Sequence, residues 1–427
     1  MNLANIPSFL LFLALLSVGA ISAAQESGNQ KALNMPEAIN EAIAKNPEIV
    51  TLRERVQAMR ARAKQASYLD DPEISIQFGG VPLANPTSLS RADSNMFGIR
   101  QKFPFFGKLG LKEKIAVQET KIMEEELRAK EREIISMVKM TYADLFMAQK
   151  MIEISREQLE IMRSLIRATE VRYQVGQVTQ QDVFKALLEQ SEIMNQLIVA
   201  EQERRASEVR LNALVNRSPQ VPIELPAELA VPQPSLMAPS LVEIAMTSRP
   251  ELRGAEREID KAERMYELAD KDRKFPDFMV GWDYWWMPTD EMVKNRYGAM
   301  FNIMIPFSPW TQGKHNYEVE EALTEIRVAK AKRESMRNMT VRQIGESLAK
   351  VDAFKRSVTL YKEGLLSQAE LSFRAAMSAY QTGRVEFVML LEAQRALREA
   401  RMGYYRAQVS LVQNLADLER AVGKELP

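Results

Sequence analysis

The chain has 427 residues, in which 57 Lys and Arg balance 57 Asp and Glu, with no cysteine and a single histidine, His315. The neutral balance and the lack of a basic patch argue against a nucleic-acid partner. The lack of cysteine and the single histidine exclude thiolate chemistry, Cys/His zinc sites and His-based catalytic triads. No phosphate-binding glycine motif is present either. The composition therefore predicts a protein that is not an enzyme and uses no cofactor or catalytic metal.

The N-terminal segment is apolar over residues 6–24 and ends in Ser22-Ala23-Ala24, a small-x-small cleavage pattern. No Lys or Arg precedes the apolar run, although secretory signals usually begin with one. Residues 1–24 are predicted to be a signal peptide, with a membrane anchor as the alternative. The rest of the sequence contains no apolar run of about 18 residues, so no further membrane-spanning helix is predicted.

The rest of the chain is duplicated. Asn-Pro-Glu at residues 46–48 returns as Arg-Pro-Glu at 249–251, and Tyr-Gln-Val-Gly at 173–176 returns as Tyr-Gln-Thr-Gly at 380–383, in each case about 205 residues later. A solenoid would repeat every 20 to 50 residues or so. The pattern therefore predicts two copies of a half-protein.

The predicted organisation has one repeat on each side of a proline-rich connection. Residues 25–218 form the first repeat and residues 240–427 the second. Residues 219–239 contain six prolines and are predicted to be an extended linker, since proline interrupts helices.

Each repeat is predicted to contain a helix, two strands, a long helix and a final helix. Alternating apolar residues mark the strands, and long stretches without Gly or Pro mark the helices. The predicted helices cover residues 36–67, 110–174, 179–215, 241–271, 314–381 and 386–422.

The 110–174 helix has apolar residues on two opposite sides. Val138, Leu145 and Ile152 belong to one seven-residue series, and Met147 and Ile154 belong to another that is offset by two residues, or about 200° around a helix. Such a helix needs a neighbour on each flank, which a wall of helices closed into a tube provides. The two shorter helices of the repeat together match its length and are expected to lie antiparallel beside it.

The strands of the second repeat carry aromatic residues on one face and polar or small residues on the other. This alternation is typical of a lipid-facing barrel strand. The alternative is a pair of ordinary hairpins whose aromatic face packs on a soluble core. The residues predicted to face lipid are Phe278, Trp282, Tyr284, Trp286, Tyr297 and Phe301.

Four strands cannot close a barrel by themselves, because about eight is the smallest known number and an open edge in lipid leaves backbone groups unpaired. Three copies would supply twelve strands. The predicted fold class is therefore mainly α with a small β part. Long antiparallel coiled-coil helices form an α-barrel, and four membrane strands per chain complete a twelve-strand barrel in a homotrimer.

The order of these motifs, with the Leu-x-x-Leu pairs at 211–214 and 415–418, resembles the TolC-type outer-membrane efflux proteins over nearly the whole mature chain. The resemblance implies a trimer in the outer membrane of a Gram-negative cell, in contact with its lipid, with a helical tunnel across the periplasm. It also implies a periplasmic adaptor (membrane fusion) protein and an inner-membrane pump of RND or ABC type. The expected function is a passive exit duct for efflux or type I secretion. A periplasmic coiled-coil adaptor or structural protein without a pore is the alternative.

The resemblance also implies a closed periplasmic end near the helical turns at Gly176 and Gly383. Tyr380 and Asp182 match the family's gate tyrosine and aspartate. The matches are incomplete elsewhere, because Arg384 stands one place before the family's arginine, and Met389 replaces the first of two acidic pore positions. Glu392 matches the second acidic position, and Glu386 is a substitute source of charge. The alternative is that these residues are ordinary polar groups of a coiled-coil surface.

The segment at residues 101–109 resembles the strand-to-helix corner of the family's heavy-metal branch. The chain also contains 24 methionines, and thioethers suit Cu(I). Methionine at helical spacing more often fills a core, so metal cargo stays a hypothesis at this point.

Overall fold

A computed structural model describes residues 33–223, 225–229 and 237–426. The predicted signal peptide and part of the predicted linker lie outside these ranges. Within them, no helix combines the length and the apolar character needed to cross a membrane. The elements in chain order are α1 Met35–Lys45, α2 Pro47–Gln65, β1 Glu73–Gly79, β2 Ser94–Phe103, α3 Lys108–Gln174, α4 Gln180–Leu214, α5 Ala238–Ser248, α6 Pro250–Lys274, β3 Asp277–Trp286, β4 Asn295–Met304, α7 Gln312–Leu360, α8 Leu366–Gln381 and α9 Phe387–Val422.

The first helix of each half is broken, so the prediction of one continuous helix at 36–67 and at 241–271 was wrong. Asn46 separates α1 from α2 with ψ 125°, and Arg249 separates α5 from α6 with ψ 118°. Both precede a proline, whose ring disfavours the helical conformation of the preceding residue. Asn46 then caps α2, because its side chain accepts a hydrogen bond from the Glu48 amide at 2.9 Å.

The prediction of a very long helix at 110–174 is confirmed by α3, which has 67 residues. Val138, Leu145 and Ile152 of its first apolar series are buried within the chain. Val138 and Leu145 pack in a cluster with residues of α1, α4 and α9. In the second series Ile154 is buried, whereas Met147 is only half-buried. One chain therefore covers one flank of α3 more completely than the other.

The predicted helix at 314–381 is interrupted by a π-helical turn at Tyr361–Leu365, between α7 and α8. Tyr361 packs against α9 at Gly403, where a Cβ would lie only 2.4 Å from the tyrosine oxygen. A π turn inserts an extra residue into a helix and changes the direction of the faces that follow. The prediction of a uniform α-helix was wrong at this point, where the turn contains Gly364 and Tyr361 packs against α9.

The four strands form one antiparallel sheet in the order β1-β2-β3-β4. The central pairing joins the two halves of the chain, with Ile99 of β2 opposite Trp282 of β3. The register places most of the aromatic and β-branched residues of the four strands on a single face, while Met96, Met279, Trp285, Met300 and Met304 lie on the other. The members of the mainly aromatic and β-branched face are Ile74, Ile76, Phe78, Phe97, Ile99, Phe103, Phe278, Val280, Trp282, Tyr284, Trp286, Tyr297, Ala299, Phe301 and Ile303.

Candidate functional site

The aromatic sheet face includes all six residues predicted to face lipid. Its rings form neighbouring pairs, with Trp282 and Tyr284 stacked at 6.3 Å between centroids and Phe278 and Phe301 at 5.8 Å. Tyr297 is 80% exposed and Phe301 is 62% exposed. None of the six residues belongs to a hydrophobic core cluster in the described part of the chain, which disagrees with the soluble-hairpin alternative.

The opposite sheet face is polar. Arg100 lies 3.6 Å from the carboxylate of Asp283, which is largely buried on this face. Gly98 stands between Asp283 and Ser75, and a Cβ at Gly98 would lie 2.3 Å from the Asp283 carboxylate. The missing side chain lets the two polar groups approach each other over β2. The sheet thus separates an exposed aromatic face from a face lined by charged and small residues together with several methionines and Trp285.

The sheet is fixed to the helices at the start of α3. The ammonium of Lys108 donates hydrogen bonds to the Phe275 carbonyl at 2.9 Å and to the Asp277 carboxylate at 2.8 Å, and it lies 3.0 Å from Asp272. Asp277 also accepts from the Phe105 amide at 3.1 Å. This buried lysine holds the first half's corner against the second half. Sequence reasoning identified the corner but missed the ion pair, whose members are far apart in the chain.

The helices end in two glycine turns of the same geometry. After α3, Gly176 has φ +74° and its amide donates to the Tyr173 carbonyl at 2.9 Å, while Gln177 donates to the Arg172 carbonyl at 2.9 Å. After α8, Gly383 has φ +71° and its amide donates to the Tyr380 carbonyl at 3.1 Å. Both are Schellman turns, in which glycine adopts a left-handed conformation at the end of a helix. We call this region the tip.

Asp182 lies in the first turn of α4, beside the first glycine turn. Its carboxylate accepts hydrogen bonds from the Thr179 amide at 3.0 Å and from the Thr179 hydroxyl at 2.9 Å. This arrangement is a capping box, which satisfies amides at the start of the helix. In a single chain, Asp182 therefore orders the turn, and no hydrogen bond or ion pair in the described part of the chain joins it to Tyr380.

Tyr380 is a core residue of the tip. It is 3% exposed, its ring meets Phe387 edge-on at 5.8 Å, and its hydroxyl lies 3.2 Å from the Thr169 hydroxyl. Arg172 contacts it through both the ring and the backbone carbonyl. The tyrosine thus connects α3, α8 and α9.

The remaining predicted gate residues lie exposed at the start of α9. Arg384 and Glu386 precede the helix, and Met389 and Glu392 follow in its first two turns. Their exposure contrasts with the burial of Tyr380. One chain therefore brings the predicted gate residues to the same tip without joining them into one contact cluster.

A buried ion cluster near the tip escaped the sequence analysis. Glu189 of α4 is fully buried and accepts hydrogen bonds from Arg398 at 2.8 Å and from the Arg395 Nε at 2.7 Å, both on α9. The hydrogen bond to Glu189 raises the pKa of the Arg395 guanidinium. The sequence does indicate the burial of Glu189, because Glu189 has the helical spacing of Ala186 and Ile193, which form the buried stripe of α4.

Nothing in the described ranges resembles a resident metal centre. No group of three or more His, Asp or Glu residues there could hold a metal ion. The single histidine, His315, lies 2.8 Å from Glu318 on the same helix. The chemically distinctive parts of the molecule are therefore the two sheet faces and the tip.

The comparisons with known proteins agree on the family and the fold. The family model described as outer membrane efflux protein matches residues 38–217 and 241–424. A relative from Cupriavidus metallidurans, the cobalt-zinc-cadmium resistance protein CzcC, is 22% identical over 66% of this chain and 66% of its own length, just under two thirds. The chain is also similar to the solved structure of CusC, with a TM-score of 0.77, 18% identity and coverage of 91% of this chain and 92% of the other. For the outer membrane protein VceC from Vibrio cholerae, the TM-score is 0.75 and the identity 19%, over 92% and 97% of the two chains.

These matches confirm the predicted family, the fold class of long helices with a small antiparallel sheet, and the outer-membrane location. Membership also implies an interaction with an adaptor and an inner-membrane pump. It decides against a periplasmic adaptor without a pore and against an enzyme. The chain belongs to the outer membrane efflux protein family and serves as an outer-membrane exit duct for efflux, with its helices extending into the periplasm.

Proposed function

We propose that three copies of the chain form a passive duct, in which a twelve-strand barrel continues into a tube of helices. The observation that carries the proposal is the sheet with its exposed aromatic face and two open edges. Among the residues that the structure describes, β1 pairs only with β2, and β4 pairs only with β3. Backbone groups left unpaired in lipid cost several kcal/mol each. Pairing β4 of one copy with β1 of the next satisfies both edges and closes the ring.

The helices support the same assembly. Phe184, Leu188 and Ile198 are between 58% and 59% exposed and follow one another along α4. Leu360, the last residue of α7, is 61% exposed, and Leu371 of α8 is 65% exposed. Apolar surface of this extent on coiled-coil helices calls for a partner helix. A neighbouring copy, with its α7 and α8 beside this α4, supplies one without any further protein.

The two family-model matches at 38–217 and 241–424 support two repeats, 25–218 and 240–427, on either side of the linker. In the proposed trimer, Asp182, Tyr380 and the exposed Arg384, Glu386, Met389 and Glu392 surround the periplasmic aperture. The pump is of the RND or ABC type and supplies the energy, since the duct itself has no chemistry for it. The name of the relative from C. metallidurans supports metal ions as the cargo.

The test is the size and location of the assembled protein. Outer membranes are extracted with detergent, and the mass of the unheated complex is measured by light scattering. We expect three chains per particle and dissociation on heating. Ile198→Asp should prevent assembly by charging the α4 stripe, whereas Ile198→Leu, which keeps the same position apolar, should assemble normally. A wild-type protein that is monomeric in outer membranes contradicts the proposal.

The cargo is tested separately. A strain that lacks the gene is compared with its parent for tolerance to copper, silver, zinc and cobalt. Equal tolerance to all four metals contradicts metal efflux while leaving the trimeric duct in place.

A further inference from the structure

We propose that Met279, Met300 and Met304 form a weak binding site for a soft monovalent cation, Cu(I) or Ag(I), on the polar face of the sheet. The inference rests on the proposed function, in which this face lines the lumen of the duct. The three side chains are then contact points for cargo as it leaves the helical tube and enters the barrel. We call them the methionine cluster.

The strand register places Met300 and Met304 on either side of Met279, with Asn302 between them on the same face and donating a hydrogen bond to the Met300 sulfur at 3.5 Å. Met279 of β3 pairs with Asn302 of β4, so Met300 and Met304 are its two diagonal neighbours on the adjacent strand. Diagonal neighbours on one face lie about 7–8 Å apart at Cα, within reach of side chains as long as methionine. Successive residues of a strand alternate between faces, and all three lie on the face opposite Trp282 and Phe301.

The thioethers are accessible from the polar face. Met304 is 40% exposed, and Met279 and Met300 are half-buried. Met300 extends over Gly281, where a Cβ would come within 3.0 Å of its terminal methyl. Unlike Met162, which is 0% exposed, none of the three belongs to a hydrophobic core cluster in the described part of the chain. Filling a core is therefore not the role of these three side chains.

The nearby charges permit a cation. Lys102 pairs with Met279 across the strands, but its ammonium lies 3.6 Å from Asp277, which also binds Lys108. Arg100 is similarly paired with Asp283. The positive charges around the cluster thus have carboxylate partners. Thioethers select soft ions such as Cu(I) over Mg²⁺ or Ca²⁺, and a site made only of neutral ligands releases a monovalent ion readily.

The test uses the full-length protein in detergent, labelled with 13C at the methionine methyl groups and titrated with silver nitrate in chloride-free buffer. Single Met→Leu variants assign the three methyl signals. Leucine conserves volume and keeps the fold while removing the sulfur. Met96→Leu is the matched control, because Met96 lies on the same face but pairs with Trp285, outside the cluster.

We expect Ag⁺ to shift the signals of all three methyl groups. Equilibrium dialysis should show at least roughly tenfold weaker Ag⁺ binding for the triple Met→Leu variant, the effect typical of losing determinants of a metal site, and unchanged binding for Met96→Leu. Unshifted signals, or equal binding by the triple variant and the control, overturn the inference.

The same samples separate this inference from the proposed duct. Particle mass and conductance in planar bilayers report on the trimer, and the methyl signals report on the site. A conducting trimer with unshifted cluster signals overturns the site alone. A monomer whose three methyl signals shift supports the site and contradicts the duct.

Discussion

The guanidinium of Arg172 lies 4.4 Å above the ring of Tyr380 and donates hydrogen bonds to the carbonyl oxygens of Tyr380 and Gln381, at 2.7 and 2.8 Å. These carbonyls belong to the last turn of α8, where a helix carries partial negative charge. One arginine at the end of α3 therefore holds the end of α8 by a cation–π contact and by two charge-assisted hydrogen bonds. It links the two helical hairpins of the tip within one chain.

We predict that Arg172→Ala loosens the tip and raises conductance in planar bilayers. The loss of the two hydrogen bonds should lower the free energy of unfolding by about 1–2 kcal/mol, since part of the side chain is exposed to water. Arg167→Ala is the control, because Arg167 lies on the same helix and bonds only to Ser164. Equal conductance in the two variants would show that Arg172 does not hold the tip.

Replacement of Tyr380 separates its ring from its hydroxyl. Tyr380→Ala should cost about 3–5 kcal/mol, the usual cost of truncating a large buried aromatic residue, and should raise conductance. Tyr380→Phe keeps the ring against Phe387 and Arg172 and loses only the hydroxyl contact to Thr169, so it should cost about 1 kcal/mol. Thermal unfolding and conductance are measured on both. A Phe variant as open as the Ala variant would assign the gate to the hydroxyl.

Asp182 can act at the tip as a helix cap or as a contact between chains. Thr179→Ala removes the hydroxyl half of the capping box and leaves the Asp182 carboxylate in place, whereas Asp182→Ala removes the carboxylate itself. If capping is its whole role, both variants should cost about 1 kcal/mol and change conductance equally. A larger rise in conductance for Asp182→Ala would reveal a contact beyond its own helix. Identical conductance to wild type in both would assign the gate to other residues.

Gly176→Ala and Gly383→Ala should each destabilise the tip by about 1–2 kcal/mol. The cause is conformational, because both glycines have positive φ, while no atom lies within 4 Å of a Cβ built at either position. Gly345→Ala is the matched control. Gly345 has equally open surroundings but lies inside α7, where alanine is favoured by up to about 1 kcal/mol. Urea unfolding of the detergent-solubilised protein measures all three.

Glu189→Ala should destabilise the tip more than any single surface ion pair would. Its removal leaves Arg398, with a side chain only 10% exposed, without its carboxylate, and breaking a buried pair costs about 3–5 kcal/mol. Glu189→Gln preserves the shape and should cost less, because an amide oxygen still accepts one hydrogen bond. Glu160→Ala, at an exposed pair with Arg163, is the control and should cost at most about 1 kcal/mol. Thermal unfolding compares the three.

Much of the fold could be predicted because its signals are periodic. The seven-residue spacing of Val138, Leu145 and Ile152 defines α3, and strict alternation around Trp282 defines β3. The breaks at Asn46 and Arg249 also have a sequence signal, since each residue precedes a proline. The apolar pattern continues across both positions and therefore predicts one helix. The π turn contains Gly364, which weakens a helix, but its geometry also depends on Tyr361 meeting Gly403 of another helix.

Part of the candidate site was less predictable, because it depends on contacts between different helices. The position of a residue on the aromatic face depends only on alternation along a strand, so the six residues predicted to face lipid could be named in advance. The position of Tyr380 depends on which side of α8 faces α3, and the ion cluster of Glu189 depends on contacts between α4 and α9. Sequence spacing within one helix does not determine either.

The pairing of β2 with β3 also constrains how the protein can be made. Within the described ranges, the partner of the inner edge of the first hairpin is a strand that is synthesised much later. Until that strand arrives, the first hairpin has an apolar surface and an unsatisfied backbone edge in an aqueous compartment, a condition that promotes aggregation. Pairing of β2 with β3 therefore removes this exposed edge only after the second half has been made, so the interval before it is the stage at which copies of the first half are most prone to associate with one another.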